Sequence, residues 1–200
     1  DKKLRQDTQF ELMDIQEKTG TTFVIVTHDQ EEAMTVASRV AVMSEGKIAQ
    51  VATPDQIYEA PNSSYVADFI GDVNLIEGTV EVQPKDAAAT AVTIKWSPTA
   101  DPINASSDTP PPAASTVQFA IRPEKVAISS DEPDAANVME GKILDIAYLG
   151  NISTYHVEVA PGVIIKAQAT NNRRISRRNL TWEDHVYLSW TDTAGVVLTQ

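Results

Sequence analysis

The arrangement of apolar residues changes at Asp72, and this change restricts the possible folds more than any other feature of the sequence. After Asp72, apolar and polar residues alternate in short runs separated by Gly, Pro, Asn and Asp. Such alternation is typical of strands with one buried face, and many short strands at regular spacing indicate a small barrel or sandwich. The runs are Ile76 to Val82, Thr90 to Trp96, Val117 to Ile121, Gly141 to Tyr148, Thr154 to Val159, Val163 to Ala169, His185 to Trp190 and Val196 to Leu198.

We therefore predict an all-β domain over residues 72–200 that closes as a barrel. The segment from Ser97 to Ser115 is rich in Pro, Ala, Ser and Asp, so we expect a mobile loop there. No internal repeat is apparent. The apolar faces of the runs predict a barrel core that contains Ile143, Ile146, Val157, Val163, Ile165, Val186 and Leu188.

Residues 1–71 have a different pattern, which predicts an α/β arrangement. Apolar spacing indicates a helix from about Lys2 to Lys18, closed by Gly20. The run Phe23 to Val26 is continuous and rich in β-branched residues, as in a strand buried on both faces of a parallel sheet. A second helix is expected from Gln30 to about Ser38, with Asp29 as its N-cap.

A hairpin and two short helices follow in the prediction. The pattern predicts two paired strands, Val40 to Met43 and Lys47 to Val51, joined by a tight turn. Thr53, Pro54 and Gln56 form the pattern of a capping box at a helix start, and a last helix is expected from about Ser63 to Ile70.

The composition excludes several classes of site. The chain has no Cys and only three His, which do not cluster, so a zinc site is not expected. A net charge of -12 argues against nucleic acid as a partner, because phosphate binding needs a basic surface. No apolar run reaches the roughly 20 residues needed to cross a bilayer. The chain begins without Met and within a helical pattern, so we expect it to be part of a longer protein.

His28 is the main candidate for chemistry. The predicted strand would deliver it to the carboxyl edge of a sheet, where open α/β folds bind ligands, and a helix would begin directly afterwards. A neutral imidazole at that place can donate to a phosphate oxygen or orient a water molecule. The spacing alone also fits an ordinary surface histidine, and by itself it favours that interpretation.

The residues around His28 resemble a known family. Val26 to Ala33, with Thr27, His28 and Asp29, is similar to the switch (H-loop) region of ABC-transporter ATPases. Three further segments resemble the importer ATPases that carry a C-terminal regulatory extension: Ser38 to Ile48, Val51 to Tyr58 and Phe69 to Gly71. Many of those ATPases have Gly where this chain has Ala52. Asp1 to Arg5 resembles the end of the D-loop and the helix behind it.

The second part of the chain carries a matching resemblance. Ala120 to Glu124 and Ala147 to Gly150 are similar to the hallmarks of the TOBE domain, an OB-like β module of these ATPases. Within the family, the resemblance is closest to polyamine (putrescine/spermidine) importers at Asp72 to Asn74, Tyr148 to Ser153, Trp182 and Trp190. Sugar importers resemble the chain less after Gly71.

The resemblance implies a division of the chain and a set of roles. Residues 1–71 would be the C-terminal part of an ABC ATPase domain, with Asp1 in the D-loop and His28 contacting the γ-phosphate in the full enzyme. Residues 72–200 would be an OB-like TOBE barrel. The full protein would use ATP and Mg²⁺, form a homodimer, and drive permease subunits from the cytoplasmic face of a bacterial membrane.

Other motifs of the family are missing from this sequence. There is no Gly-x-x-x-x-Gly-Lys-Ser/Thr loop and no Gly-Gly pair of the signature loop. The family's Mg²⁺-organising Asp and catalytic Glu are also absent. Since a triphosphate needs those groups for positioning and charge neutralisation, we expect no ATP, Mg²⁺ or hydrolysis in this chain alone.

For the other candidate functional residues, a structural role is favoured over a role in binding or catalysis. Glu31 and Glu32 are adjacent on a predicted helix, so a solvated face is favoured over an acid pair. The Arg173 to Arg178 cluster fits a solvated loop better than an anion site, and Arg122 before Pro123 is expected to be extended, in a possible structural ion pair. Tyr148, Tyr155, Trp182 and Trp190 could stack on a ligand, but core packing is the favoured reading.

Two functions of different classes follow from these observations. The first is the energy-coupling ATPase subunit of a polyamine importer, or of a sugar or other solute importer. The second is a non-catalytic module whose β domain senses a small molecule or holds a dimer together.

Overall fold

The structure, a computed structural model, describes residues 2–81, 88–171 and 180–199, with side chains from residue 8 onward. The chain forms two compact units, Asp1–Gly71 and Asp72–Gln200, each with its own hydrophobic core. Asp1, Val82 and the Arg173 to Arg178 cluster lie outside the described residues.

The first unit consists of four helices and one hairpin. Helix α1 (Lys2–Thr19) is confirmed, and Gly20 ends it with a φ of 63°. The hairpin turns at Glu45 and Gly46, whose φ angles of 50° and 75° suit the right-handed twist of paired strands. The remaining elements are α2 (Gln30–Val36), β1 (Val40–Ser44), β2 (Lys47–Ala52), α3 (Pro54–Glu59) and α4 (Ser64–Phe69).

A small core holds the hairpin and the short helices together. It consists of Val40, Val42, Ile57, Val66 and Ile70. The capping box predicted at Thr53 and Gln56 is present at the start of α3. Its two reciprocal hydrogen bonds satisfy helix N–H groups that have no partner within the helix.

The prediction of a buried strand at Phe23 to Val26 is wrong. This segment has no strand structure, and Val24 and Val26 are 89% and 96% exposed. A β-branched run becomes a strand only where a neighbouring strand supplies hydrogen-bond partners. In the described part of this unit, β1 and β2 pair only with each other and leave none for residues 23–26.

The second unit is all-β, as predicted. Its described strands are β3 (Asn74–Val80), β4 (Ala91–Lys95), β5 (Ile103–Ser106), β6 (Thr116–Ile121), β7 (Ala127–Ser129), β8 (Asn137–Tyr148), β9 (Ile152–Ala160), β10 (Val163–Thr170), β11 (His185–Trp190) and β12 (Val196–Leu198). They form two five-stranded sheets, in the orders β10-β9-β8-β11-β7 and β5-β4-β3-β6-β12. The pairs of neighbouring strands in these sheets are antiparallel.

Three details of the β prediction need correction. Among the described residues the strands form two sheets around one core rather than one barrel, and the outer strands of each sheet approach one another, β10 near β7 and β12 near β5. The predicted loop from Ser97 to Ser115 contains β5, because Ile103 and Ala105 alternate into the core at 1% and 3% exposure. Val163 is only partly buried, since the pairing of β10 with β9 shifts register directly after it, whereas the other six predicted core residues are buried.

The two sheets repeat one another, contrary to the expectation from sequence. Strand β3 occupies the centre of one sheet as β8 occupies the centre of the other, and β4, β5 and β6 correspond to β9, β10 and β11. Asn74 of β3 lies opposite Ile121 of β6, and Asn137 of β8 lies opposite Trp190 of β11. The outermost strands are exchanged: β7 follows β6 in the chain but pairs with β11, and β12 follows β11 but pairs with β6.

A short sequence signature accompanies this repeat. Each central strand begins with Asn, followed by two apolar residues and then Glu-Gly, and both glycines lie where the adjacent strand comes close. A Cβ on Gly78 would lie 2.5 Å from Ile94 Cγ2, and one on Gly141 would lie 2.6 Å from Val157 Cγ1. The shared residues are Asn74, Glu77 and Gly78 in β3, and Asn137, Glu140 and Gly141 in β8.

The two Asn side chains join the sheets by imitating a strand partner. Asn74 Oδ1 accepts from Lys166 N at 2.7 Å, and Asn74 Nδ2 donates to Lys166 O at 2.8 Å. Asn137 does the same with the backbone of Asn104, at 2.7 Å and 2.9 Å. Lys166 and Asn104 lie in β10 and β5, which are outer strands, so each sheet is fastened to the edge of the other.

We expect Asn74→Ala to destabilise the β unit by about 2–3 kcal/mol, because it leaves an N–H and a C=O of Lys166 without their side-chain partner. Urea unfolding followed by circular dichroism measures this change. Asn104→Ala is the matched control: its exposed side chain makes one hydrogen bond, to Ala136 O at 3.2 Å, so its effect should stay below about 1 kcal/mol. Equal effects of the two substitutions would contradict the prediction.

Candidate functional site

His28 lies in the turn that leads into α2, and its side chain is exposed. The expectation that it stands at the end of a strand is wrong, because residues 23–26 form none. The residue is nevertheless exposed and is not part of the small core. Its contact with a phosphate stays a prediction.

The backbone on both sides of His28 is held by a chain of hydrogen bonds. The Asp29 N–H donates to Thr27 Oγ1 at 3.0 Å, and the Thr27 hydroxyl donates to Glu32 Oε2 at 2.7 Å. Asp29 is the N-cap of α2, as predicted, and its Oδ1 accepts from Glu32 N at 3.1 Å. Two residues of the turn are therefore tied to the first turn of the helix, with His28 between them.

Helix α2 is in turn fixed to the rest of its unit. Ala33, Met34 and Ala37 pack against the small core. The Gln30 side-chain amide donates to the carbonyl of Phe69 at the end of α4. The position of the His28 turn is thus determined by hydrophobic packing as well as by the cap.

Glu31 and Glu32 do not form an acid pair, in agreement with the sequence argument. Glu32 is half-buried against Thr27, whereas Glu31 is exposed. Sequence reasoning missed the role of Glu32, although Asp29-x-x-Glu32 has the spacing of a capping box. Here the Thr27 hydroxyl lies between the glutamate and the N-cap N–H that a capping box would join directly.

In the second unit, two of the four aromatic candidates belong to the core. Tyr155 and Trp190 are 6% and 4% exposed, and Trp190 stacks on Phe119 with ring centroids 6.2 Å apart. Tyr148 and Trp182 are about half exposed, at 49% and 54%. The preference for core packing is therefore right for the first two and wrong for the other two, which lie at the ends of strands or in a loop.

Arg122 is a buried residue that supports the start of the β unit. It has the extended backbone expected before Pro123, with φ −71° and ψ 141°. Its Nη1 donates to Asp72 O at 3.1 Å, and the residue is 5% exposed. This contact links the residue directly after β6 to Asp72, which lies two residues before β3.

Asp145 and Trp182 form a polar cluster on the surface of the β unit. Asp145 sits at a bulge in β8, where its Oδ1 accepts from Ile146 N at 2.8 Å and from the Trp182 indole N–H at 3.3 Å. The Ile146 N–H, then the Trp182 indole and the nearby His156 hold the pKa of Asp145 below its ordinary value of 3.8.

Neither a metal-binding cluster nor a membrane-spanning helix occurs within residues 2–81, 88–171 and 180–199. No group of three or more His, Cys, Asp or Glu side chains there could hold a metal ion. No helix in the same ranges has the length and apolarity needed to cross a membrane.

The chain matches one family model and has relatives that align over its whole length. Residues 119–198 match the family model of the TOBE domain. The whole chain is 40% identical to the putrescine transport ATP-binding protein PotG of Escherichia coli, of which it covers 52%. It is 36% identical over its full length to the spermidine/putrescine import ATP-binding protein PotA of Chromobacterium violaceum, of which it covers 55%.

The chain thus spans about half the length of the curated relatives it matches. These homologues are ATP-binding subunits of polyamine importers, which confirms the resemblance noted from the sequence. Among solved structures, the cytoplasmic molybdate-binding protein ModG has a TM-score of 0.53 at 15% identity, covering 62% of this chain and 94% of ModG. That likeness concerns the fold alone.

We expect Asp145→Asn to change how thermal stability depends on pH. The pKa of Asp145 is lowered in the folded state, so its stabilising contribution is present above pH 3.8 and is lost as the pH falls through the lowered value. The variant lacks this contribution, so its melting temperature should approach that of the wild type below pH 3.8.

Melting temperatures measured between about pH 2.5 and pH 6 test this expectation. Asp134→Asn, in an exposed loop, is the charge-matched control. Its melting temperature should differ from that of the wild type by a similar amount at every pH in this range. Parallel curves for Asp145→Asn and the wild type across the whole range would refute the assignment.

Proposed function

We propose that this chain is the C-terminal part of the ATP-hydrolysing subunit of a bacterial polyamine importer. The observation that carries the proposal is similarity over the entire chain, across both units, to ATP-binding subunits of putrescine and spermidine importers. Residues 1–71 are assigned to the end of the ATPase domain and residues 72–200 to a TOBE-type regulatory domain. The match of residues 119–198 to the TOBE model supports the second assignment.

In the complete subunit, His28 would contact the γ-phosphate of ATP. Its exposed ring stands on a turn that is held from both sides, which suits a group that must meet a ligand at a defined place. A neutral imidazole can donate a hydrogen bond to a phosphate oxygen or orient a water molecule. We place Asp1 in the D-loop on the resemblance alone.

The remaining ATP-binding groups would come from other parts of the subunit. This sequence has no Gly-x-x-x-x-Gly-Lys-Ser/Thr loop, so its own residues offer the phosphates one imidazole and no backbone cradle. ATP and Mg²⁺ would therefore bind the complete subunit rather than this chain. Exposed apolar side chains in α1 and the following segment, such as Phe10 at 59% and Val24 at 89%, are consistent with cover from the rest of such a subunit.

The proposed partners are a second copy of the subunit and the permease subunits of the importer. The complex would lie on the cytoplasmic face of the cell membrane, with the ATPase subunits as peripheral components. The acidic net charge of -12 offers no support for a nucleic-acid partner.

Transport assays distinguish the proposed function from its alternatives. The complete importer, reconstituted in vesicles, should hydrolyse ATP faster when putrescine or spermidine and the binding protein are supplied. Stimulation by a sugar instead would assign another solute. If the complete subunit did not hydrolyse ATP, that result would favour a non-catalytic module for sensing or dimerisation.

In the complete subunit, we expect His28→Ala to lower the ATP turnover number by about 100-fold, as loss of a positioned polar group does in other enzymes. ATP binding should change much less, because most binding groups lie elsewhere. Steady-state kinetics and equilibrium ATP binding measure the two effects, with His185→Ala in the exposed start of β11 as control. Turnover near the wild-type rate in His28→Ala would remove this residue from the mechanism.

We also expect the 200-residue chain itself to hydrolyse no ATP and to bind it only weakly. The reason is the absence of a phosphate loop from its sequence. Isothermal titration calorimetry tests binding, and a dissociation constant in the micromolar range would contradict this expectation.

A further inference from the structure

We propose that Glu32 is a positioning residue for His28 and acts through the hydroxyl group of Thr27. This inference rests on the proposed function for its catalytic consequence, but its structural part concerns this chain alone. It assigns a role to a residue that sequence reasoning placed on a solvated helix face.

The direction of each hydrogen bond in this relay is set by chemistry. A carboxylate only accepts hydrogen bonds and a backbone N–H only donates them. The Thr27 hydroxyl, 2.7 Å from Glu32 Oε2 and 3.0 Å from Asp29 N, must therefore donate to Glu32 and accept from Asp29. Its single proton points at the carboxylate, which leaves its lone pairs directed at the N–H.

The relay closes a ring around His28. Thr27 precedes His28 and Asp29 follows it, so the hydrogen bond between them spans the histidine. Glu32 is tied to the same turn twice, through its carboxylate to Thr27 and through its backbone N–H to Asp29 Oδ1 at 3.1 Å. Asp29 O accepts from Ala33 N at 3.1 Å, which continues the ring into the helix.

The surroundings show why a side-chain anchor is needed here. The preceding residues 23–26 have no strand structure in which to hold the turn. Helix α2 has seven residues, too few to be stable by its own backbone hydrogen bonds. The conformation around His28 therefore depends on the cap, on the relay through Thr27 and on packing of the helix against the small core.

Four substitutions separate the relay from general helix stability. Glu32→Ala removes the acceptor, whereas Glu32→Gln keeps an amide oxygen that can accept from Thr27. Thr27→Val removes the hydroxyl at nearly constant volume, whereas Thr27→Ser keeps it. Thr35→Val is the matched control, because the Thr35 hydroxyl also bonds within this helix, to Glu31 O at 2.7 Å, but away from the turn.

Amide hydrogen exchange of the 200-residue chain, measured by NMR, tests the structural step. We expect the Asp29 N–H to exchange about fivefold to tenfold faster in Glu32→Ala and Thr27→Val, the effect of losing one hydrogen bond. Thr27→Ser, Glu32→Gln and Thr35→Val should stay within about twofold of the wild type. An Asp29 exchange rate that is unchanged in both Glu32→Ala and Thr27→Val overturns the proposal.

The catalytic step is tested in the complete subunit. Glu32→Ala and Thr27→Val should each lower kcat about tenfold, with KM for ATP changed less than about threefold, and Thr27→Ser should recover most of the rate lost in Thr27→Val. The double variant Thr27→Val/Glu32→Ala should lose no more than either single variant, because both remove the same relay. Additive losses, or an equal loss in Thr35→Val, overturn the positioning role.

The two proposals fail in different ways. A wild-type complete subunit without ATP hydrolysis refutes the proposed function, and the exchange experiment still decides whether Glu32 holds the turn. Normal hydrolysis in the wild type together with wild-type kcat in Glu32→Ala refutes the positioning role and leaves the proposed function in place.

Discussion

The β unit depends on two asparagine side chains that take the place of a missing strand. Asn74 and Asn137 each offer one donor and one acceptor, and each uses both on a single backbone residue of the opposite sheet. An open sheet exposes unpaired N–H and C=O groups at its edges, and these groups need partners wherever they are buried. The amides supply the partners at β10 and β5, so two sheets that share no backbone ladder enclose one core.

The repeat explains why the same residues recur in both sheets. Each central strand must begin with a side chain that can reach the other sheet, and it must bring Gly78 or Gly141 against its neighbour without a Cβ. The exchange of β7 and β12 ties the halves further, because each half completes its sheet with a strand from the other. The buried apolar residues of both sheets belong to a single core.

Much of this architecture could be predicted from the sequence, and the failures have physical causes. The alternation of apolar residues located the long strands, because burial of one face is a local pattern. It missed β5 and β7, which have four and three residues and lie within or beside stretches rich in Pro, Ser and Asp that are typical of loops. It also missed the repeat, since only Asn, Glu and Gly of each central strand recur while the packing residues change between Val, Ile, Met and Leu. For the site, the sequence located His28 and the Asp29 cap, but the role of Thr27 depends on a side-chain geometry that spacing does not reveal.

The first unit shows the opposite balance between local and distant interactions. Its hairpin and caps form where local signals place them, as the Glu45-Gly46 turn and the Thr53 capping box demonstrate. The segment from Phe23 to Val26 has equally strong strand propensity but no strand structure, because a propensity becomes a strand only through hydrogen bonds to a neighbour. The turn that carries His28 lies between these two cases. Its conformation comes from Thr27, Asp29 and Glu32, which are close in sequence, so it forms beside a segment that has no partner. The hydrogen bonds that hold this turn join residues within one short segment, so they do not require that residues 23–26 be paired with a strand.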